Sequence, residues 1–289
     1  MRLLLLVSIS LITVATVVPG NAAWDQQTCE DGRDAAESVS ACTRLIEGAN
    51  LDDRDFTTAL YNRGIHLTHL GEIGRAIEDF SRVIQIRTVD RQAYNGRGNA
   101  YFLKGDLERA IQDYDAQIKI DPLHDNAYNG RGRAYAALGQ FDRAIADYDK
   151  QIEIDGQHHD AYNNRGSAYL AKGNPKRAIE DYSMAIAINP RHRHAYSNRG
   201  RANLAVGRIQ QAIQDFDAQI EIEARHANAF GGRAQAYLMV GDAQRALADV
   251  ERALELQPNE EYLLRMPGIT LLVLERRAEA TKPRELVKP

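Results

Sequence analysis

AYNGRGRAYAALGQFDRAIADYDKQIEID, residues 127–155, is followed at residues 161–190 by AYNNRGSAYLAKGNPKRAIEDYSMAIAINP. The second segment begins thirty-four residues after the first, and the same phrase opens at Ala93 and Ala195 and, in altered form, at Ala59 and Ala229. A fixed period of this length is the mark of a stacked array, in which each unit is one supersecondary element packed on its neighbours. Within a unit, Tyr94, Arg97, Gly98 and Tyr101 have the spacing of one helix face. Gly105 then ends that helix in a conformation glycine tolerates best. Ala110, Tyr114 and Gln117 mark the facing side of a second helix, and Asp121-Pro122 stops it. Gly98 and Ala110 are small enough for two backbones to approach closely, with tyrosines filling the flanking space.

The columns of the array are regular. Arginine stands at 63, 97, 131, 165, 199 and 233; glycine follows directly at 64, 98, 132, 166 and 200, with Ala234 in the last unit. A second glycine recurs at 71, 105, 139, 173, 207 and 241, and an alanine at 76, 110, 144, 178, 212 and 246. In one unit the set reads Tyr162, Gly166, Tyr169, Ala178, Tyr182 and Pro190, which resembles the tetratricopeptide repeat (TPR) from Thr57 to about Glu260. Two columns depart from the family pattern: arginine replaces a leucine before the small residue, and Gln117, Gln151 and Gln219 stand where alanine is usual. The resemblance implies an all-α fold, a right-handed superhelical α-solenoid of helix-turn-helix repeats. It further implies a concave groove lined by the first helices, with extended or helical peptides as ligands.

The expected organisation is a signal peptide over 1–22, an N-terminal capping segment over 23–56, and six repeats over 57–90, 91–124, 125–158, 159–192, 193–226 and 227–260. A C-terminal capping helix over 261–280 and a flexible tail over 281–289 complete the chain. The leader has Arg2, an apolar run from Leu3 to Val18 and small residues around Gly20-Asn21-Ala22. Its sixteen apolar-run residues fall short of the roughly 20 needed to span a bilayer. The chain is therefore expected to be exported, to the periplasm or beyond, with an uncleaved leader as the only route to membrane contact. Cys29 and Cys42 are the only cysteines, and two cysteines in an exported chain are expected to form a disulfide.

Composition narrows the function. A formal charge of −4 without a basic cluster argues against nucleic acid as partner, since phosphate contacts need concentrated Lys and Arg. No phosphate-binding glycine loop, nucleophile elbow or HExxH metal motif is present, so no catalysis and no cofactor are expected. The arginine column has an equal column of aspartates at 79, 113, 147, 181, 215 and 249, which points to internal pairs rather than an anion-binding stripe. Eleven of the thirteen tyrosines occupy three packing columns, and so read as core rather than as a sugar-binding surface. Histidines recur at 124, 158, 192 and 226; only the mixed set His158, His159, His192 and His194 could converge on a metal ion.

The face opposite the packing stripe carries Asn95, Asn129 and Asn163 in register, beside Asn164 and Asn198, with Asn99, Arg133 and Arg201 one turn on. Carboxamides both donate and accept, so such a ladder could read a peptide backbone. The expectation is a non-catalytic scaffold that binds a protein or peptide segment in its groove during envelope or secretion complex assembly. The alternatives are a self-associating structural protein and an accessory sensor module with a metal-dependent histidine edge.

Overall fold

A computed structural model describes residues 22–48 and 50–258. Residues 1–21 of the leader over 1–22, the end of the last repeat, the capping helix and the tail lie outside the described residues. Those described contain fourteen helices and no strand, and they divide into two units, one ending at Ala100 and one beginning at Tyr101.

The first unit contains α1 (Ala22–Asp31), α2 (Ala35–Gly48), α3 (Asp53–His69), α4 (Ile73–Ile86) and the start of α5 (Arg91–Lys104). The capping segment is thus itself a helix pair, with Gly32 in its turn at φ +60°. The Cys29–Cys42 disulfide ties α1 to α2, with Cα atoms 4.9 Å apart. Ser38 Oγ donates to Thr28 O at 2.9 Å, and Arg44 Nε donates to the buried Asp25 carboxylate at 3.0 Å. His66 Nε2–H on α3 donates to Cys29 O at 2.9 Å and so joins the cap to the first repeat. α3 opens one turn before residue 57, because the Asp52 carboxylate accepts from Asp55 N and caps an early start.

The second unit continues with α6 (Leu107–Ile120), α7 (Asp125–Ala137), α8 (Phe141–Ile154), α9 (His159–Ala171), α10 (Pro175–Ile188), α11 (Arg193–Ala205), α12 (Ile209–Ile222), α13 (Ala227–Met239) and α14 (Ala243–Leu256). Consecutive helices pack as pairs, and the first helices α7, α9, α11 and α13 also adjoin one another in that order. The turn inside each pair is a Schellman motif. In the 125–158 repeat, Gly139 at φ +73° donates to Ala136 O at 3.0 Å and Gln140 N donates to Tyr135 O at 2.8 Å.

In the repeats before the last the core is an aromatic ring laid on glycine. Phe216 is buried, and a Cβ placed on Gly200 would lie 2.9 Å from it, one on Gly232 of the next repeat 2.5 Å. At this ring glycine on both sides lets the two helices close, whereas Asn164 and Asn198 stand in the Gly232 column after Tyr148 and Tyr182, which meet glycine at Gly132 and Gly166. Where the last repeat carries Ala234 in place of glycine, the facing residue is the smaller Val250, and both are fully buried.

Candidate functional site

The arginine column is internal. Arg131 bonds Asp147 of its own repeat through Nε (2.9 Å) and Nη2 (2.6 Å), and its Nη1 reaches Asp115 on the preceding second helix at 2.5 Å. Arg165 repeats this with Asp181 and Asp149, and Arg233 with Asp249 and Asp217. Arg199 and Arg63 keep the aspartate but replace the second partner with Ser183 and Thr43. Each guanidinium therefore knits two successive helix pairs with bidentate geometry. The Asp181 bond, working against burial, holds the Arg165 guanidinium above its ordinary range. The second partner was not anticipated from sequence, although the recurring D-Y-D of Asp113–Asp115 and Asp147–Asp149 carries the signal.

The tyrosines serve two columns. Tyr114, Tyr148 and Tyr182 are fully buried rings facing glycine, whereas the buried Tyr128 and the half-buried Tyr162 and Tyr196 lie under the arginine column, 5.7, 5.5 and 5.6 Å from its guanidinium carbons. Burial pushes the Tyr182 phenol up to about 12, against the opposing effects of its hydrogen bond to Ser167 and of Arg201.

On the first-helix face of the second unit the asparagines form one chain. Asn164 Nδ2 donates to Asn129 Oδ1 at 3.0 Å, Asn163 Nδ2 to Asn164 Oδ1 at 3.3 Å, and Asn198 Nδ2 to Asn163 Oδ1 at 3.0 Å. These bonds bridge α7, α9 and α11, and Asn163 is buried at their centre. Asn129, Asn164 and Asn198 are half-buried and retain further N–H groups. One turn on, Arg133 and Arg201 are exposed and, among the described residues, have no acidic partner. Arg133 lies 4.7 Å from the centre of the Phe102 ring. Between the two arginines, Ser167 Oγ donates to Asn163 O at 3.0 Å and accepts from the Tyr182 hydroxyl at 3.2 Å. In the first unit, Asn95 is half-buried and Asn99 exposed on α5.

Models of the tetratricopeptide repeat match residues 98–139, 132–173, 159–192 and 197–261, together more than half of the chain. The chain belongs to the tetratricopeptide-repeat family. Among solved structures, a TPR protein from Parabacteroides merdae is 20% identical, covering 89% of this chain and 97% of its own, at a TM-score of 0.67. YrrB, described as a TPR protein with an unusual peptide-binding site, is 23% identical over 70% of this chain and 99% of its own, at a TM-score of 0.53. MamA is 27% identical over 57% of this chain and 96% of its own, at a TM-score of 0.52. No curated protein matches the sequence. The repeats mark this TPR chain as a protein–protein interaction scaffold whose partners are proteins or peptides.

Two further places on the TPR array gather polar groups. In the first unit a cleft of about 240 Å³ lies between α1 and α3, lined by Gln26, Glu30, Leu45, Arg54 and Asn62. In the second unit, two of the four histidines expected as metal candidates come together with an aspartate outside that set: His159, Asp160 and His192 hold ligand atoms within 4.8 Å of one another. His158 turns instead toward Asp125 at 3.7 Å, and the His194 ring lies 6.3 Å from that of His192. No described helix is long and apolar enough to cross a membrane.

Proposed function

We propose that this chain binds an extended segment of a partner protein along the α7–α9–α11 face, with Arg133 and Arg201 meeting acidic side chains and the asparagine chain supplying spare N–H groups to the backbone. The carrying observation is a contrast in pairing. The arginines of the repeat column at 131, 165, 199 and 233 are each locked to aspartate, whereas Arg133 and Arg201 are exposed and, among the described residues, have no acidic partner. Unpaired guanidiniums on a face built from interior hydrogen bonds are suited to carboxylate recognition. First helices stand about 10 Å apart, so the two arginines, two repeats apart, are separated by roughly 20 Å. An extended segment covers that distance in about six residues.

The role is binding without chemistry, carried out outside the cytoplasm in assembling an envelope or secretion complex. The leader and the Cys29–Cys42 bridge support that location, because disulfides persist in oxidising compartments. The test is fluorescence anisotropy with peptides carrying two acidic residues six apart, against the full chain and against Arg133→Ala/Arg201→Ala. The expected result is binding that weakens with salt and falls at least tenfold in the double variant. Equal binding by both proteins would overturn the assignment of these arginines.

A further inference from the structure

We propose that His159, Asp160 and His192 form a binding site for a divalent transition-metal ion, zinc by preference, at the junction between the 159–192 and 193–226 repeats. His159 and Asp160 open α9, and His192 is the N-cap of α11. The carboxylate stands between the rings: Asp160 Oδ1 accepts from His192 Nε2–H at 3.0 Å and lies 3.5 Å from His159 Nδ1. The ring centres are 4.9 Å apart and nearly perpendicular. Two imidazole nitrogens and a carboxylate oxygen are the donor set of a three-ligand zinc site, with a fourth position open to water.

A second observation points the same way. Apart from its 3.5 Å approach to Asp160, the buried Nδ1 atom of His159 has no hydrogen-bond partner among the described residues, and a buried donor or acceptor left unpaired is costly enough to need an explanation. The sequence explains why this junction differs from the others. His124 and His226 are held from behind by Gln117 and Gln219, whose Nε2 groups contact their Nδ1 atoms at 3.2 and 3.4 Å. Ala185 stands in that column before His192, so no glutamine claims this ring. The neighbouring first turn carries Asp125 and Asn126 in the repeat before and Ala227 and Asn228 in the last, but His159 and Asp160 here.

Tetrahedral ligands bound at about 2 Å lie about 3.3 Å apart, so donors within 4.8 Å of one another need to close by about 1.5 Å at most, a movement within reach of side-chain rotation. Coordination through His192 Nε2 places its remaining proton on Nδ1. Two contacts are given up: the 3.0 Å bond from His192 Nε2–H to Asp160, replaced by the shared ion, and the 3.3 Å contact from Ala195 N–H, which His192 O still accepts at 3.0 Å. Asp160 is half exposed, which gives an ion a route in from solvent.

The test is calorimetric titration of the full chain, free of any histidine tag, with zinc chloride, followed by cobalt(II) absorption to report coordination. One ion per chain is expected, with a cobalt spectrum of four-coordinate type. His159→Ala and Asp160→Asn alter exposed or half-exposed side chains and should keep the helical circular dichroism, yet each should weaken binding at least tenfold. His226→Ala, outside the cluster, should bind as the parent does. Absence of a saturable site, or equal losses in His226→Ala and His159→Ala, would overturn the assignment.

Discussion

Gly200→Ala tests whether the ring-on-glycine contact is what holds the repeats in register. In an ordinary helix interior this change stabilises by about 1 kcal/mol, through lost backbone freedom in the unfolded chain. Here the new Cβ would lie 2.9 Å from Phe216 Cζ and 3.0 Å from Cε1. The ring cannot retreat, because the Gly232 backbone closes its other side, where a Cβ would meet it at 2.5 Å. Overpacking of this kind costs about 1–3 kcal/mol. The two effects oppose, leaving a net loss of up to about 2 kcal/mol. Phe216→Val alone opens a cavity and should cost about 2–4 kcal/mol. In the double variant the obstacle is gone, so the alanine should regain its propensity gain, giving a coupling of about 1–3 kcal/mol in the cycle. The chain already contains this compensated pair at Ala234 and Val250. Urea unfolding of all four proteins, followed by far-ultraviolet circular dichroism, measures it, with equal m-values required because arrays can unfold in stages. A cycle additive to within about 0.5 kcal/mol, or a Gly200→Ala protein more stable than the parent, would refute the packing argument.

Reduction of Cys29–Cys42, which closes a separation of 13 residues, should lower the stability of the first unit by about 3 kcal/mol; an unchanged thermal midpoint under reductant would remove the bridge from the stability of the cap. Tyr182, raised to about 12 from an unfolded value near 10, stabilises the fold fully below pH 10 and loses that contribution as the pH climbs to 12. The difference between 295 nm titrations of the parent and Tyr182→Phe should show its phenolate appearing near pH 12, and a midpoint near 10 would mean the ring is not buried as described.

What repeats six times was legible before any coordinates. The Ala110, Tyr114 and Gln117 face is buried, and the glycine column from Gly71 to Gly241 takes positive φ throughout, because one local conflict repeated in every unit leaves a single consistent reading. Features that occur once were harder to see. The early start of α3 depends on Asp52 alone, and the contact from His66 to Cys29 O joins residues 37 apart with no period to announce it. The asparagine ladder was visible as a column, but its internal bonding depends on how closely α7, α9 and α11 adjoin, which spacing along one helix does not state. Asp160 stands outside the histidine set because its column holds Gln92, Asn126, His194 and Asn228 elsewhere, so no acidic ligand repeats there.

Packing and recognition therefore draw on different columns of the same array. A column that stacking requires cannot vary, and Arg131, Arg165, Arg199 and Arg233 do not, since each spans two helix pairs. The column at 133, 167, 201 and 235 reads Arg, Ser, Arg, Gln and touches that stacking only lightly, so its chemistry is free to follow a partner. Its charges fall on alternate repeats, and that spacing constrains the partner's conformation as well as its charge. Over roughly 20 Å an extended segment places its acidic side chains about six residues apart, whereas a helix lying along the same line would need about thirteen. Peptides of the two spacings, compared against the parent and the double arginine variant, distinguish the geometries. Preference for the longer spacing would keep the arginines and discard the extended segment, while indifference to spacing would show that charge alone is being read.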